Sequence, residues 1–332
     1  MIVCFLLVFS HIGRAQKKID KLQSDDDVVG FVKNFFLYGR DNPDPRWKTF
    51  QLVDGDEWQG LYNLSQQAED SLAQLKVNKW QTIDFNLDKK TDLIVCGKLP
   101  HGATNQYVLI VFLSNDDGGY DEKSLVSDEY ASYPYYFSLM LLPKVGVPGI
   151  RLVKWFPDIN NQSRDGLPFS VDTLGFAKTY LVNYNGTPDS ALFKKVRFES
   201  SNYNGNRTVV KIENLDKGTK AQFQVVTYRK ANDSTSVKGK ITMDIYAELL
   251  SLINYSGFKE MPDVYQSNTN WPQTYTLDVT YSDGSIKKLQ DFSGGGRYSL
   301  SAIYSWFDWL IGYTDQSLEQ RRYEQSQIPF DF

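Results

Sequence analysis

A short stretch that begins at Asp84 carries the residues whose types and spacing could do chemistry. Side chains with oxygen atoms stand at alternate positions, namely Asp84, Asn86, Asp88 and, after Lys90, Asp92. Ca²⁺ takes several oxygen ligands, and a tight loop of alternating acids and amides supplies them. We therefore predict a Ca²⁺ site formed by the side chains of Asp84, Asn86 and Asp88, the carbonyl of Lys90 and the carboxylate of Asp92.

The same residues allow a second interpretation. Asp and Asn side chains often cap the backbone of their own turn, and the loop would then be an ordinary solvated turn. An EF-hand is excluded, because Val95 stands where a bidentate Glu is needed and an apolar segment follows where a helix should begin. If the loop binds metal, we expect the ion to hold the fold together, since no nucleophile or base stands nearby in sequence.

The segment Asp84-Phe-Asn-Leu-Asp-Lys-Lys-Thr-Asp-Leu93, followed by Ile94-Val95, resembles the calcium loop of FG-GAP (integrin-α-type) repeats. The pattern of that family is Asp-x-Asn-x-Asp-Gly-x-x-Asp-Leu before a strand. The resemblance covers about residues 80–120, including the turn at Asp116–Gly119, and it implies Ca²⁺ binding. The chain departs from the pattern at Lys89, where the family has Gly, and by having a single copy, so the resemblance does not imply a propeller.

Few histidine and cysteine residues are available for other chemistry. After residue 15 the chain has one Cys, Cys96, and one His, His101. This excludes an internal disulfide and a His-rich zinc site, and a Ser-His-Asp triad would have to use His101. Cys96 stands in an apolar run, where we expect a buried thiol. Two carboxylates suffice for glycoside hydrolysis, so a carboxylate-based hydrolase acting on extracellular glycans stays open as the alternative function.

The first residues are typical of a signal peptide. An apolar run covers Ile2–Phe9, and Gly13-Arg-Ala15 places small residues before a cleavage site, although no Lys or Arg precedes the run. The run is too short to span a bilayer, and no other stretch is long and apolar enough to do so. Removing residues 1–15 leaves 35 basic and 40 acidic residues, an acidic balance that disfavours nucleic acid as the partner.

The hydrophobic periodicity predicts an α+β protein of two domains, each an antiparallel β-sheet packed with a few helices. The predicted domains are residues 16–190 and 191–316, followed by a polar tail, 317–332. A helix should begin after Ser24, where Asp27 completes an approximate capping box. The other predicted helices are Ser65–Val77, Thr242–Asn254 and Ser299–Tyr313. Predicted strands include Leu93–Cys96, Tyr107–Leu113, Tyr135–Leu142, Ile150–Trp155, Phe176–Asn183, Lys195–Ser200, Val209–Glu213, Ala221–Arg229, Tyr275–Tyr281 and Ile286–Leu289, and Lys230–Val237 reads as a polar loop.

A second resemblance covers about residues 192–315. The residues that carry it are Gly239-Lys-Ile241, Tyr246–Ile253, Met261–Tyr265, Leu277–Gly284 and Lys288–Phe292. They resemble an uncharacterised domain of exported bacterial proteins, which implies an α+β unit and no particular mechanism. These observations predict an exported, non-enzymatic binding or interaction protein of the cell envelope, with an optional structural Ca²⁺ site and a protein or glycan partner outside the cytoplasm.

Overall fold

The computed structural model describes residues 19–40, 43–54, 66–101, 104–126, 135–143, 146–155, 169–202, 204–213, 220–230, 233–266, 273–292 and 298–326. The predicted signal peptide, residues 1–15, lies outside this range. The chain divides into two compact units, Met1–Thr179 and Tyr180–Phe332. The fold is α+β: within the described residues four α-helices accompany strands that pair almost entirely antiparallel. No helix in this part combines the length and apolar character needed to cross a membrane.

The first helix, α1, covers Asp25–Tyr38 and confirms the predicted start at Ser24. The Ser24 hydroxyl accepts a hydrogen bond from the Asp27 backbone N–H at 3.2 Å, and the Asp27 carboxylate accepts one from the Ser24 N–H at 3.0 Å. This capping box satisfies donors that lack intrahelical partners at a helix start. Apolar residues at helical spacing then bury one face of α1: Val28, Phe31, Val32 and Phe36.

The buried face of α1 packs on a five-stranded sheet in the first unit. The strands are β1 (Gln51–Leu52), β2 (Trp80–Ile83), β3 (Asp92–His101), β4 (Thr104–Ser114) and β5 (Tyr120–Val126), in the order β1-β3-β4-β5 with β2 also paired to β3. Alternate residues of the two central strands, such as Val95 and Ile110, meet the helix. The residues between them are buried as well, which confirms the buried thiol of Cys96 and raises its pKa well above the ordinary range.

The rest of the first unit adds a 3-10 turn at Pro45–Thr49, helix α2 at Gln66–Leu75 and three more strands. Strands β6 (Tyr136–Leu141), β7 (Pro148–Trp155) and β8 (Phe169–Ala177) pair antiparallel in sequence order.

The second unit is built on a seven-stranded sheet. Its strands, after the short β9 (Tyr180–Asn183), are β10 (Phe193–Ser201), β11 (Arg207–Glu213), β12 (Lys220–Lys230), β13 (Asp233–Thr242), β14 (Val264–Gln266), β15 (Thr274–Tyr281) and β16 (Ile286–Phe292). The strand order is β13-β12-β11-β10-β15-β16-β14, and only the β14–β16 pair is parallel. Helices α3 (Met243–Tyr255) and α4 (Tyr298–Ser326), with a 3-10 turn at Phe258–Glu260, complete the unit.

Both long helices lie on the same face of this sheet. The rings of Phe198 on β10 and Phe307 on α4 stack with centroids 4.4 Å apart. The Tyr246 hydroxyl on α3 donates a hydrogen bond to the Phe193 carbonyl at 2.6 Å. The predicted apolar stripe of α4 is fully buried, which confirms it: Leu300, Ile303, Phe307 and Leu310.

Three predicted elements differ from the structure. Most of the predicted loop Lys230–Val237 is strand, because β13 begins at Asp233. Its residues alternate between partly buried and exposed at the sheet edge, so it needs few apolar side chains. The predicted strand Phe176–Asn183 is two strands separated by a turn at Lys178, whose φ is 56°. Helix α4 also continues past its predicted end at Tyr313, to Ser326.

Candidate functional site

The residues predicted to bind Ca²⁺ form the connection between β2 and β3. The chain leaves β2 at Ile83, bends from Phe85 to Lys90 and enters β3 at Asp92. Leu87 and Lys89 adopt positive φ angles of 61° and 70°. This left-handed conformation disfavours every residue that has a side chain, so Lys89 occupies a position that suits glycine.

The side-chain oxygens of the loop accept hydrogen bonds from its own backbone. The two oxygens of Asp84 accept from the N–H groups of Asp88 and Lys89, at 3.1 and 2.8 Å. Asn86 Oδ1 accepts from the Asp88 N–H at 3.2 Å, and Asp88 Oδ1 accepts from the Lys90 N–H at 2.9 Å. These are the contacts of the second interpretation, in which acidic side chains cap their own turn. Metal binding stays a prediction, and within the described residues no group of three or more His, Cys, Asp or Glu is arranged to hold a metal ion.

Lys90 supplies the positive charge at this loop. Its ammonium lies 3.1 Å from Asp88 Oδ2 and 2.8 Å from Asp116 Oδ1. The hydrogen bond with Asp116 is the largest cause of a raised Lys90 pKa, and the same bond lowers the pKa of Asp116. The turn after β4 therefore touches the loop.

Asp92 is the buried member of the predicted set. Its carboxylate is inaccessible to solvent and accepts hydrogen bonds from the N–H groups of Phe85 and Ser114, both at 2.9 Å. Burial raises the pKa of Asp92 to about 6, the charges of Asp88 and Asp84 add to the rise, and the two backbone hydrogen bonds oppose it. Asp92 therefore joins the start of the loop to the end of β4.

A second polar surface, which no sequence pattern predicts, is the face of the seven-stranded sheet opposite α3 and α4. Residues directly opposite each other on antiparallel strands share a face. On this face one row of six registered neighbours crosses six strands, and we call it the basic row: Lys238, Gln224, Lys211, Arg197, Asp278 and Lys288. Its four cations and one anion come from segments far apart in sequence, so no local motif signals it.

Ion pairs order the centre of this open face. Glu199 pairs with both Arg197 and Arg207, and the Arg207 Nε–Glu199 Oε1 distance is 2.5 Å. Burial opposes ionisation of Glu199, but the two guanidinium groups outweigh it and hold the Glu199 pKa below its ordinary value. Arg197 also lies 3.6 Å from Asp278.

The lysines of the basic row are placed differently. Lys211, Lys238 and Lys288 are exposed, and they form no ion pair with any residue in the described ranges. Lys240 lies two residues beyond Lys238 on the same face of the edge strand β13. It is exposed and likewise forms no ion pair with a described residue.

A groove continues the basic row at its β16 end. It encloses about 550 Å³, and its lining includes Val264, Thr276, Asp278, Ile286 and Lys288. Val264 and Ile286 are 49% and 59% exposed, which is unusual for aliphatic side chains and gives the groove an apolar wall beside its charged one. The volume lies within the range of small-molecule sites.

Comparison of the chain with protein-family models, with curated proteins and with solved structures found no match. The two resemblances seen in the sequence therefore rest on the residues quoted for them.

Proposed function

We propose that the protein is exported and acts outside the cytoplasm as a non-enzymatic binding protein. The observation that carries the proposal is the open face of the seven-stranded sheet in the second unit. Strand β13 and the exposed lysines of the basic row present a broad polar surface with an adjoining groove. A surface of this kind suits recognition of an extended partner, and Lys211, Lys238 and Lys288 form no ion pair with any described residue.

A sedimentation assay with turnover measurement tests the binding function. The chain from residue 16 is incubated with insoluble polysaccharides, and both retention of protein and release of reducing ends are measured. We expect retention without release. Steady, enzyme-dependent release of reducing ends would contradict a non-enzymatic function and favour the carboxylate-based hydrolase.

The export part of the proposal rests on the apolar run Ile2–Phe9 and the small residues before Gln16. Residues 1–30 fused to alkaline phosphatase should give an active reporter, because that enzyme needs disulfides that form outside the cytoplasm. A fusion that starts at residue 16 is the control and should be inactive. Equal activity of the two fusions would argue against a signal peptide.

We also propose that Ca²⁺ binds the loop formed by Asp84, Asn86, Asp88, Lys90 and Asp92 and stabilises the fold. The alternation of oxygen-bearing side chains supports this. Ca²⁺ would replace the hydrogen bonds that the carboxylates of Asp84 and Asp88 now accept from N–H groups of the loop. The pairing of Lys90 with Asp88 would have to loosen as well.

Calorimetric titration with Ca²⁺, together with thermal melts, tests the metal site. An ion that binds only the folded state adds about 2.7 kcal/mol to the free energy of unfolding at a hundredfold excess over Kd. The double variant Asp84→Ala/Asp88→Ala should lose both the heat and the stabilisation, whereas Asp26→Ala/Glu69→Ala, which removes two exposed acids elsewhere, should keep them. Absence of a response in the wild-type chain would make the loop an ordinary turn.

The two compact units further suggest two domains, as the sequence predicted, with a boundary at Thr179–Tyr180 instead of residues 190–191. Each unit has a buried apolar cluster of its own, which is what independent folding requires.

A further inference from the structure

The basic row has a geometry that an extended polymer can follow. Its six residues lie on six consecutive strands of the sheet, in direct register from Lys238 on β13 to Lys288 on β16. Neighbouring strands lie ~4.8 Å apart, so the row is about 24 Å long. The cations occupy the first, third, fourth and sixth strands of this row.

The charge of the row is only partly compensated, and the remaining positive charge carries a cost. Lys211 stands directly opposite Arg197, and like charges in that position destabilise a sheet. Arg197 is neutralised by Glu199 and Asp278, but Lys211, Lys238 and Lys288 have no acidic partner in the described part of the chain. The whole chain has a net charge of −4, so this face opposes the overall sign of the protein. Such a face attracts anions that the rest of the surface repels.

The groups beside the cations indicate the chemistry of the anion. Gln224 lies between Lys238 and Lys211, and Thr276 and Gln290 face each other beside Lys288. Amides and hydroxyls of this kind can exchange hydrogen bonds with sugar hydroxyls. The exposed Val264 and Ile286 of the groove offer apolar contact to the C–H face of a sugar ring.

Other anionic macromolecules fit the face less well. Single-stranded nucleic acid is held by aromatic platforms on which the bases stack. The described aromatic residues of this face are Tyr228, which already lies under the Arg207 guanidinium at 5.5 Å, and the half-buried Phe292. An anionic membrane is bound most firmly where apolar side chains can insert beside the cations, whereas the centre of this face is formed by ion-paired Arg197, Glu199 and Arg207.

We propose that the open face of the seven-stranded sheet binds an anionic polysaccharide, with acidic groups on Lys238, Lys211 and Lys288 and a sugar unit in the groove beside Ile286. This inference rests on the proposed binding function and gives it a partner class. An interval of two strands separates Lys238 from Lys211, which fits acidic groups on every second sugar of an extended chain, and a polymer with an acid on every sugar also presents such a set.

The test measures binding of the chain from residue 16 to immobilised polygalacturonate as a function of salt, with dextran as the uncharged control. We expect binding to polygalacturonate that weakens steeply as salt rises, because exposed charges are screened, and little binding to dextran. The double variant Lys211→Glu/Lys238→Glu should bind at least tenfold more weakly. The matched variant Lys21→Glu/Lys48→Glu makes the same change of charge at exposed positions in the first unit and should bind within twofold of wild type.

Thermal melts of all variants show whether they fold, and reducing ends are assayed in the same samples. Unchanged binding by the Lys211→Glu/Lys238→Glu variant would overturn the role of the basic row while leaving a binding function in place. Release of reducing ends would overturn the binding function itself. Tighter binding to duplex DNA or to phosphatidylglycerol vesicles than to polygalacturonate would overturn the assignment to a polysaccharide.

Discussion

Lys89 holds a backbone conformation that suits glycine, with φ of 70°. A non-glycine residue in this region destabilises the fold by about 1–2 kcal/mol. Glycine removes that strain but loses more conformational entropy on folding, so the net gain is smaller. We therefore expect Lys89→Gly to raise the free energy of unfolding by about 0.5–1 kcal/mol in a denaturant titration. Lys89→Ala is the control, since it removes the side chain but keeps the strain, and an equal gain in both variants would contradict the explanation.

Asp92 makes the stability of the metal-free protein depend on pH. Its pKa is raised to about 6 in the folded protein against 3.8 when exposed, so its contribution to stability is full below pH 4 and is lost as pH rises through 6. The loss amounts to at most about 3 kcal/mol, because one pKa unit corresponds to 1.36 kcal/mol. In calcium-free buffer, urea titrations from pH 4 to 7 should show this decline.

The variant Asp92→Asn removes the titrating group. It should be less stable than wild type at pH 4, because the protonated carboxyl group keeps two oxygens that can accept from the N–H groups of Phe85 and Ser114, whereas an amide offers only one. Its free energy of unfolding should nevertheless vary less between pH 4 and 7. A slope equal to that of wild type would show that other groups cause the pH dependence.

At the scale of elements, two glycines of the first unit should respond oppositely to alanine. A Cβ on Gly97 in β3 would collide with the Phe50 ring and lie 2.8 Å from the Gln51 carbonyl oxygen, whereas nothing lies within 4 Å of one on Gly30 in α1. Gly97→Ala should lower the free energy of unfolding by about 1–3 kcal/mol. Gly30→Ala should raise it by up to about 1 kcal/mol, because alanine favours the helix. Destabilisation by both variants would contradict the packing described here.

Some helices and strands could be predicted from the sequence and others could not, for physical reasons. Helix α1 was predictable because Ser24, Asp27 and the buried apolar positions act within a few residues of each other. Strand β13 was not, because an edge strand with one face in solvent has little apolar pattern, and its identity depends on its partner β12. The loop at Asp84–Asp92 was predicted to precede a strand, as it does, and its self-capping hydrogen bonds are those of the second interpretation. The hydrogen bond from Ser114 to Asp92 could not be foreseen, because the two residues lie far apart in the sequence.

For the whole molecule, the proposed division into two domains predicts two unfolding transitions. Gly97→Ala acts in the first unit, and Gly239→Ala acts in the second, where a Cβ would lie 2.6 Å from the Phe223 ring. In calorimetric melts each variant should lower a different transition by several degrees, since 1 kcal/mol corresponds to about 2–4 °C for units of this size. A single transition that both variants shift would instead indicate one cooperative domain.

The sequence by itself determined the α+β class, the capped start of α1, the buried stripe of α4 and the alternation of oxygen-bearing residues from Asp84 to Asp92. These features depend on residues close together in the chain, whose spacing is set by the periods of helix, strand and turn. The tertiary structure alone decided that Lys238, Lys211, Arg197 and Lys288 form one row, because strand register brings together segments that the chain separates widely. It also decided that Asp92 is buried against the end of β4, since burial depends on what packs around a residue and not on its neighbours in sequence.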